Sequence, residues 1–173
     1  MKLIIMRHGE AEPPGVVPGG GDFDRRLTAT GRSDMERMAR LAAATGWRFD
    51  EIRTSPLVRT RETGALIEKH LAQLREEGLT SAQPGHSVEE RLAPGFDLDG
   101  ALDIFNELDS NAVAIWIFHA PDVQRLSAAL LGVREDAFYF TPGAMLALNL
   151  RLPRPAGRGM IIWNAQPEYL RAY

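Results

Sequence analysis

Residues Lys2–Glu10 read KLIIMRHGE, and this stretch decides the fold that the sequence predicts. Its first half is a short apolar run, which is typical of a strand buried on both faces of a parallel sheet. The run stops at Arg7, His8 and Gly9. In open α/β folds ligands bind just beyond the carboxyl ends of the strands, and a glycine there lets the backbone turn or a ligand approach closely. The stretch therefore carries a guanidinium and an imidazole from a rigid strand to a predicted binding edge.

The length and composition predict an ordinary globular protein. With 173 residues, 45% of them hydrophobic and 25% charged, we expect a single domain, residues 1–173, with a sizeable core. The net charge of −3 gives no sign of a nucleic-acid or membrane partner. The chain has no cysteine, which excludes disulfides, thiol nucleophiles and thiolate metal sites. Since Met1 runs directly into the first strand without a leader pattern, we expect a cytoplasmic enzyme.

Helical and strand patterns alternate along the rest of the chain. A proline- and glycine-rich loop at 13–21, which is either a connection or a gate for substrate, precedes them. The predicted elements are a helix capped by Thr28 and ending at Gly46, a strand at 51–55, a helix from Pro56 to residue 74, an extended segment at 88–92, a helix at 98–108, a strand at 112–118, a helix at 123–132, and strands at 145–150 and 160–163. This alternation predicts an α/β fold: a three-layer α/β/α sandwich with a mainly parallel central sheet and an antiparallel edge strand.

Cationic or ionisable side chains follow three of the predicted strands. Arg7 and His8 end the first, Arg59 follows the strand at 51–55, and His119 follows the strand at 112–118. Because the carboxyl ends of parallel strands meet at one edge of a sheet, we expect these side chains to converge. Guanidinium groups match phosphate oxygens with paired hydrogen bonds. The sequence has no phosphate-binding P-loop and no recognised metal motif, so the predicted site binds an anion without cofactor or metal.

A phosphate site with two histidines suggests covalent catalysis. A neutral imidazole can attack phosphorus and form a phosphohistidine, which water then hydrolyses. His8 is the better nucleophile candidate because Gly9 leaves room beside it and a backbone carbonyl can fix its tautomer. Arg7, Arg59 and a protonated His119 then stabilise charge on the transferring oxygens.

Four motifs in series resemble the histidine phosphatase (phosphoglycerate mutase-like) superfamily. They are RHGE at 7–10, LTATG at 27–31, SPLVRTRET at 55–63 and HAP at 119–121, and together they span essentially the whole chain. FTPGA at 140–144 and WNAQP at 163–167 resemble the SixA-type phosphohistidine phosphatase branch. The resemblance implies a three-layer α/β/α fold with His8 as the phosphorylated nucleophile. It also implies that Arg7, Arg59 and His119 complete the phosphate pocket and that Ser55 supports its edge.

The chain departs from the family pattern in two places. Phe118 stands where many relatives have glycine or serine, so its ring either narrows the pocket or points into the core. The glutamate acid of the mutase branch has no obvious counterpart: Asp97 aligns best, with Glu90 and Asp99 behind it, although loop aspartates also serve as caps.

The lack of an obvious acid catalyst favours phosphohistidine over a sugar phosphate as the substrate. An alkoxide leaving group needs a well-placed proton donor, whereas an imidazole leaves readily once protonated. The chain also lacks a large insertion that would form a lid, so we expect an open, shallow pocket suited to phosphohistidine on another protein. The alternatives are a phosphatase of small phosphomonoesters and a catalytically silent module that binds phosphorylated proteins. A mutase role is disfavoured, because nothing marks a second phosphate site.

Overall fold

The computed structural model describes residues 1–15 and 20–171. Its strands are β1 (Lys2–Arg7), β2 (Glu51–Thr54), β3 (Gly85–Val88), β4 (Val113–Phe118), β5 (Met145–Asn149) and β6 (Met160–Ala165). Its α-helices are α1 (Ala29–Ala44), α2 (Val58–Glu76), α3 (Leu98–Asp103), α4 (Asp122–Leu131) and α5 (Pro167–Leu170). Single 3₁₀ turns lie at Asp22–Asp24, Glu90–Leu92, Ile104–Glu107 and Glu135–Ala137. Within the described residues no helix is both long and apolar enough to cross a membrane.

One six-stranded sheet forms the middle layer, in the order β3-β2-β4-β1-β5-β6. The first four strands of that order are parallel, which confirms the predicted parallel sheet. β5 pairs antiparallel with β1 and β6 antiparallel with β5. The edge strand β6 therefore pairs antiparallel with its neighbour, as the sequence predicted. The carboxyl ends of β1, β2 and β4 lie at the same edge of the sheet.

Alternate residues of the central strands face two separate cores. In β1, Leu3 and Ile5 pack with residues of α3 and α4, whereas Ile4 and Met6 pack with residues of α1 and α2. All four side chains are fully buried. Burial on both faces explains why the strand is a continuous apolar run, and it confirms the three-layer sandwich.

Most predicted elements are present, with shifted ends. Thr28 caps α1 by accepting a hydrogen bond from the Gly31 amide, as predicted. The helix expected from Pro56 begins at Val58 instead. The extended segment predicted at 88–92 is strand β3 at 85–88 followed by a 3₁₀ turn, and the helix predicted at 98–108 is α3 followed by another 3₁₀ turn. Residues 16–19 of the loop predicted at 13–21 lie outside the described residues.

Candidate active site

The three strand ends converge, as the parallel sheet requires. His8 lies directly beyond β1, His119 directly beyond β4, and Arg59 in the first turn of α2, which follows β2. The ring centroids of His8 and His119 are 5.3 Å apart. Arg59 lies between the rings: its Nε donates to Nε2 of His8 at 3.3 Å, and its Nη2 is 3.3 Å from Nδ1 of His119. Residues far apart in the chain thus line one small site.

His8 is held in one orientation by its own loop. Its backbone N–H donates to the carbonyl of Phe118, and its Nδ1 lies 2.8 Å from the carbonyl oxygen of Gly9. Nδ1 therefore carries the proton, and the lone pair is on Nε2, which faces the site. Burial, with the nearby positive charges of Arg59 and Arg7, outweighs the Gly9 hydrogen bond and lowers the pKa of His8 to about 3. The ring is neutral at pH 7, which is the state that a nucleophile needs.

A relay of hydroxyl groups orients His119. Its Nε2 lies 2.6 Å from Oγ of Ser55, which lies 2.9 Å from Oγ1 of Thr60, and that hydroxyl donates to the carbonyl of Leu57 at 2.7 Å. With Arg59 donating to Nδ1, these contacts place the proton of His119 on Nε2. Ser55 thus supports the edge of the site, and Thr60 is a supporting residue that the sequence analysis missed. Its only signal was its place in the SPLVRTRET motif.

His119 is neutral at pH 7 in this structure, whereas the sequence predicts the protonated form. Burial, followed by the positive charge of Arg59, lowers the pKa of His119 to about 3. Arg7 and Arg25 also lower this pKa, while the negative charge of Asp22 raises it.

The guanidinium of Arg7 has one hydrogen-bond donor without a partner among the described residues. Its Nη1 donates to the carbonyl of Phe140 at 2.8 Å, while its buried Nε has no hydrogen-bond partner among the described residues. Burial lowers the pKa of Arg7, and the charges of Arg25 and Arg59 lower it further. A buried donor without a partner is costly, so this arrangement favours an incoming anion.

Asp22 is the carboxylate that meets the site, and the sequence analysis did not identify it. Arg59 donates from Nη1 to the Asp22 carbonyl at 2.6 Å and from Nη2 to its Oδ2 at 2.9 Å. No sequence signal could have chosen Asp22, which is one of several charged residues where the loop after β1 returns. Within the described residues no group of three or more histidine, aspartate or glutamate side chains could hold a metal ion.

Three side chains of the site are almost completely buried, whereas the sequence predicts an open, shallow pocket. Only 7% of His8, 4% of Arg59 and 3% of His119 is exposed. The carbonyl of Phe140 accepts a hydrogen bond from Arg7, and the carboxylate of Asp22 accepts one from Arg59. The structure thus brings the predicted residues together, with His8, Arg59 and His119 buried.

The two departures from the family pattern have different structural outcomes. The ring of Phe118 is fully buried and packs against Phe96, with ring centroids 5.9 Å apart, so it points into the core and does not narrow the site. Asp97 is the N-cap of α3 and accepts from the Gly100 amide at 3.2 Å. Asp97 has no hydrogen bond to Arg7, His8, Arg59 or His119 among the described residues. The roles of Asp97, Glu90 and Asp99 as acids stay predictions.

Comparisons with known proteins agree with this geometry. The model of the histidine phosphatase superfamily (branch 1) matches residues 3–87. Among curated proteins the sequence has no significant match. Among solved structures, the protein histidine phosphatase SixA complexed with tungstate is 24% identical, with a TM-score of 0.78 over 98% of this chain and 99% of the other. A protein from Agrobacterium tumefaciens assigned as a phosphohistidine phosphatase SixA is 20% identical, with a TM-score of 0.74 over 96% and 97%. The mycobacterial glucosyl-3-phosphoglycerate phosphatase is 16% identical, with a TM-score of 0.65 over 95% and 99%.

The family model supports the resemblance to the histidine phosphatase superfamily over residues 3–87, and the solved structures show that the chain has the same fold. Two of the three structures above are described as SixA, the branch that the motifs at 140–144 and 163–167 resemble. At these identities the likeness establishes the fold and leaves the substrate open.

Proposed function

We propose that the protein is a metal-independent phosphatase that acts through a phosphohistidine on His8 and hydrolyses phosphohistidine on other proteins. The observation that carries this proposal is the orientation of His8. Its Nδ1 proton is held by the Gly9 carbonyl at 2.8 Å, so the lone pair of Nε2 faces the guanidinium of Arg59. A neutral, oriented imidazole beside guanidinium donors is the arrangement that in-line attack on phosphorus requires.

The first step transfers the phosphoryl group between two imidazoles. Nε2 of His8 attacks phosphorus while the P–N bond of the substrate breaks, and the leaving imidazole departs with its second nitrogen protonated. Arg7 and Arg59 stabilise the three equatorial oxygens. Since a P–N bond is both broken and formed, this step needs less acid catalysis than the cleavage of a sugar phosphate.

The second step is hydrolysis of phospho-His8. The phosphorylated ring keeps its Nδ1 proton and carries a positive charge, which the hydrogen bond to the Gly9 carbonyl stabilises. Water attacks phosphorus, the P–N bond breaks, and the electron pair returns to Nε2. The products are dihydrogen phosphate and neutral His8, so no proton has to leave the ring.

A small phosphomonoester is the alternative substrate. It is favoured by the likeness to the glucosyl-3-phosphoglycerate phosphatase and would require an acid such as Asp97. A silent binding module is the other alternative, but the ring of Phe118, buried in the core, does not obstruct the site and gives that alternative no support.

Comparative turnover tests the proposal. We expect a phosphorylated histidine phosphotransfer protein to be hydrolysed with a higher kcat/KM than any member of a panel of sugar phosphates, and EDTA to leave activity intact. Faster hydrolysis of the sugar phosphates would contradict the substrate. If 4-nitrophenyl phosphate, whose leaving group needs little acid, is hydrolysed no faster than by His8→Ala, the protein is a binding module.

A further inference from the structure

Asp22 binds the two terminal nitrogens of Arg59, which the proposed reaction needs to bind phosphate. The guanidinium directs Nη1 to the backbone carbonyl and Nη2 to the side-chain carboxylate of Asp22. These two nitrogens form the fork with which arginine pairs with two oxygens of a phosphate. A phosphoryl group that uses the fork must therefore take the place of Asp22.

The burial of the site supports an exchange of ligands. His8, Arg59 and His119 are almost fully buried, whereas the Asp22 side chain is 56% exposed. Asp22 thus lies at the solvent side of a closed cationic site. A buried guanidinium without a partner lowers the stability of the protein, so Asp22 stabilises Arg59 when no ligand is bound.

A second arginine can hold Asp22 after it leaves Arg59. Nη1 of Arg25 donates to Oδ1 of Asp22 at 2.8 Å, so each carboxylate oxygen has its own guanidinium partner. Arg25 itself is anchored, because its Nε donates to the carbonyl of Glu12 and the Glu12 amide donates to the carbonyl of Arg26 at 2.8 Å. The carboxylate can therefore give up Arg59 without becoming an unpaired charge.

We propose that Asp22 is an internal ligand of Arg59 and a positioning residue of the reaction: the phosphoryl group of the substrate displaces it, and it returns when phosphate leaves. This inference rests on the phosphate site of the proposed function. Because substrate and product displace the same carboxylate, Asp22 lowers the affinity for both by the same factor. It keeps the guanidinium in place between turnovers and promotes release of phosphate.

The test compares two isosteric variants that remove the same charge from the same 3₁₀ turn. Asp22→Asn cannot compete as an anion for Arg59. Asp24→Asn is the matched control, since the Asp24 carboxylate accepts from the Gly21 amide at 3.1 Å and has no hydrogen bond to Arg59. The measurements are KM and kcat for 4-nitrophenyl phosphate and inhibition constants for inorganic phosphate and tungstate.

We expect Asp22→Asn to lower KM and both inhibition constants by about two- to fivefold, the range implied by measured exposed ion pairs, with kcat within about twofold. Asp24→Asn should match the wild type. Weaker binding in Asp22→Asn, or equal tightening in both variants, would overturn the inference, the latter because it reports net charge alone. If wild-type protein binds neither phosphate nor tungstate, the proposed function itself fails.

Discussion

Two arginines six residues apart have opposite surroundings. Arg53 of β2 donates to Glu51 at 3.0 Å, to Glu89 at 3.1 Å and to Glu107 at 3.0 Å. Although burial lowers the pKa of Arg53, its bonds to these carboxylates outweigh burial and raise it. Among the residues that the structure describes, Arg59 has a single carboxylate partner, Asp22, and there burial prevails and lowers the pKa of Arg59.

The contrast extends to the neighbours of each arginine. Arg91 joins the first group and binds Glu89 and Glu107, so two guanidinium groups share three carboxylates. In the second group Arg59 and Arg25 share the carboxylate of Asp22, and Arg7 nearby donates to the carbonyl of Phe140 and to no carboxylate among the described residues. The first group is a closed ion-pair network and the second has excess positive charge. Unbalanced charge, rather than the presence of arginine, is what marks an anion site.

The largest expected effect separates a histidine of the site from one outside it. His8→Ala removes the nucleophile and should lower kcat for 4-nitrophenyl phosphate by at least ~10³-fold. His70, which lies on α2 and contacts Gln73, provides the control. His70→Ala should retain activity within about twofold, since it alters no group that stabilises the transition state. Comparable losses in both variants would contradict the assignment of the site.

Replacing each of the two arginines with alanine tests the comparison directly. Arg59→Ala should lower kcat/KM by about 10²- to 10³-fold, as the loss of a transition-state donor does elsewhere, and cost little stability. Arg53→Ala should retain activity and lower the free energy of unfolding by about 1–3 kcal/mol, because its carboxylate partners lose hydrogen bonds to a charged group. Steady-state kinetics and urea unfolding of both variants measure the two effects, and the reverse pattern would refute the comparison.

The pH dependence of stability should separate the two groups. His8 and His119 have pKa values lowered to about 3 from 6.5. Below pH 6.5 the unfolded chain therefore binds protons that the folded chain does not, so their stabilisation is full above pH 6.5 and is lost as the pH falls toward 3. The pKa of Glu107 is lowered to about 2 by Arg91 and then Arg53, so its stabilisation is lost only between about pH 4.5 and 2.

Urea unfolding across pH 3–8 measures this dependence. His119→Gln should flatten the decline between pH 6.5 and 4.5, whereas Glu107→Gln should leave that part unchanged. An unchanged slope in His119→Gln would mean that the ring is not held neutral in the folded state.

The smallest effect concerns Asp97. Because Asn also caps helices well, Asp97→Asn should preserve α3. If phosphohistidine is the substrate and needs no strong acid, kcat should change by less than about threefold, against the ~10²-fold or larger loss expected for an acid catalyst. Measuring kcat of this variant with the phosphorylated histidine protein shows whether Asp97 is an acid catalyst or only a helix cap.

The sequence predicted the features that local patterns encode. The apolar runs of β1 and β4 end at His8 and His119, and because parallel strands align their carboxyl ends, the convergence of the two rings followed from the fold class. Arg59 could be told from Arg53 by its place in the SPLVRTRET motif, and by no property of the residue itself.

Features that depend on contacts across the chain escaped prediction. β3 is largely exposed and joins the sheet through backbone pairing with β2, so it has no buried apolar pattern to reveal it. The pairing of Asp22 with Arg59 joins residues 37 positions apart, and no periodicity indicates which of several carboxylates makes it.

Trapping of the phosphorylated intermediate tests the role of His8 most directly. Protein mixed with a ³²P-labelled substrate and quenched within one turnover should carry label that is lost in acid, is stable in base, and maps to the peptide containing His8. Label on another residue, or hydrolysis at the wild-type rate by His8→Ala, would contradict a phosphohistidine at this position.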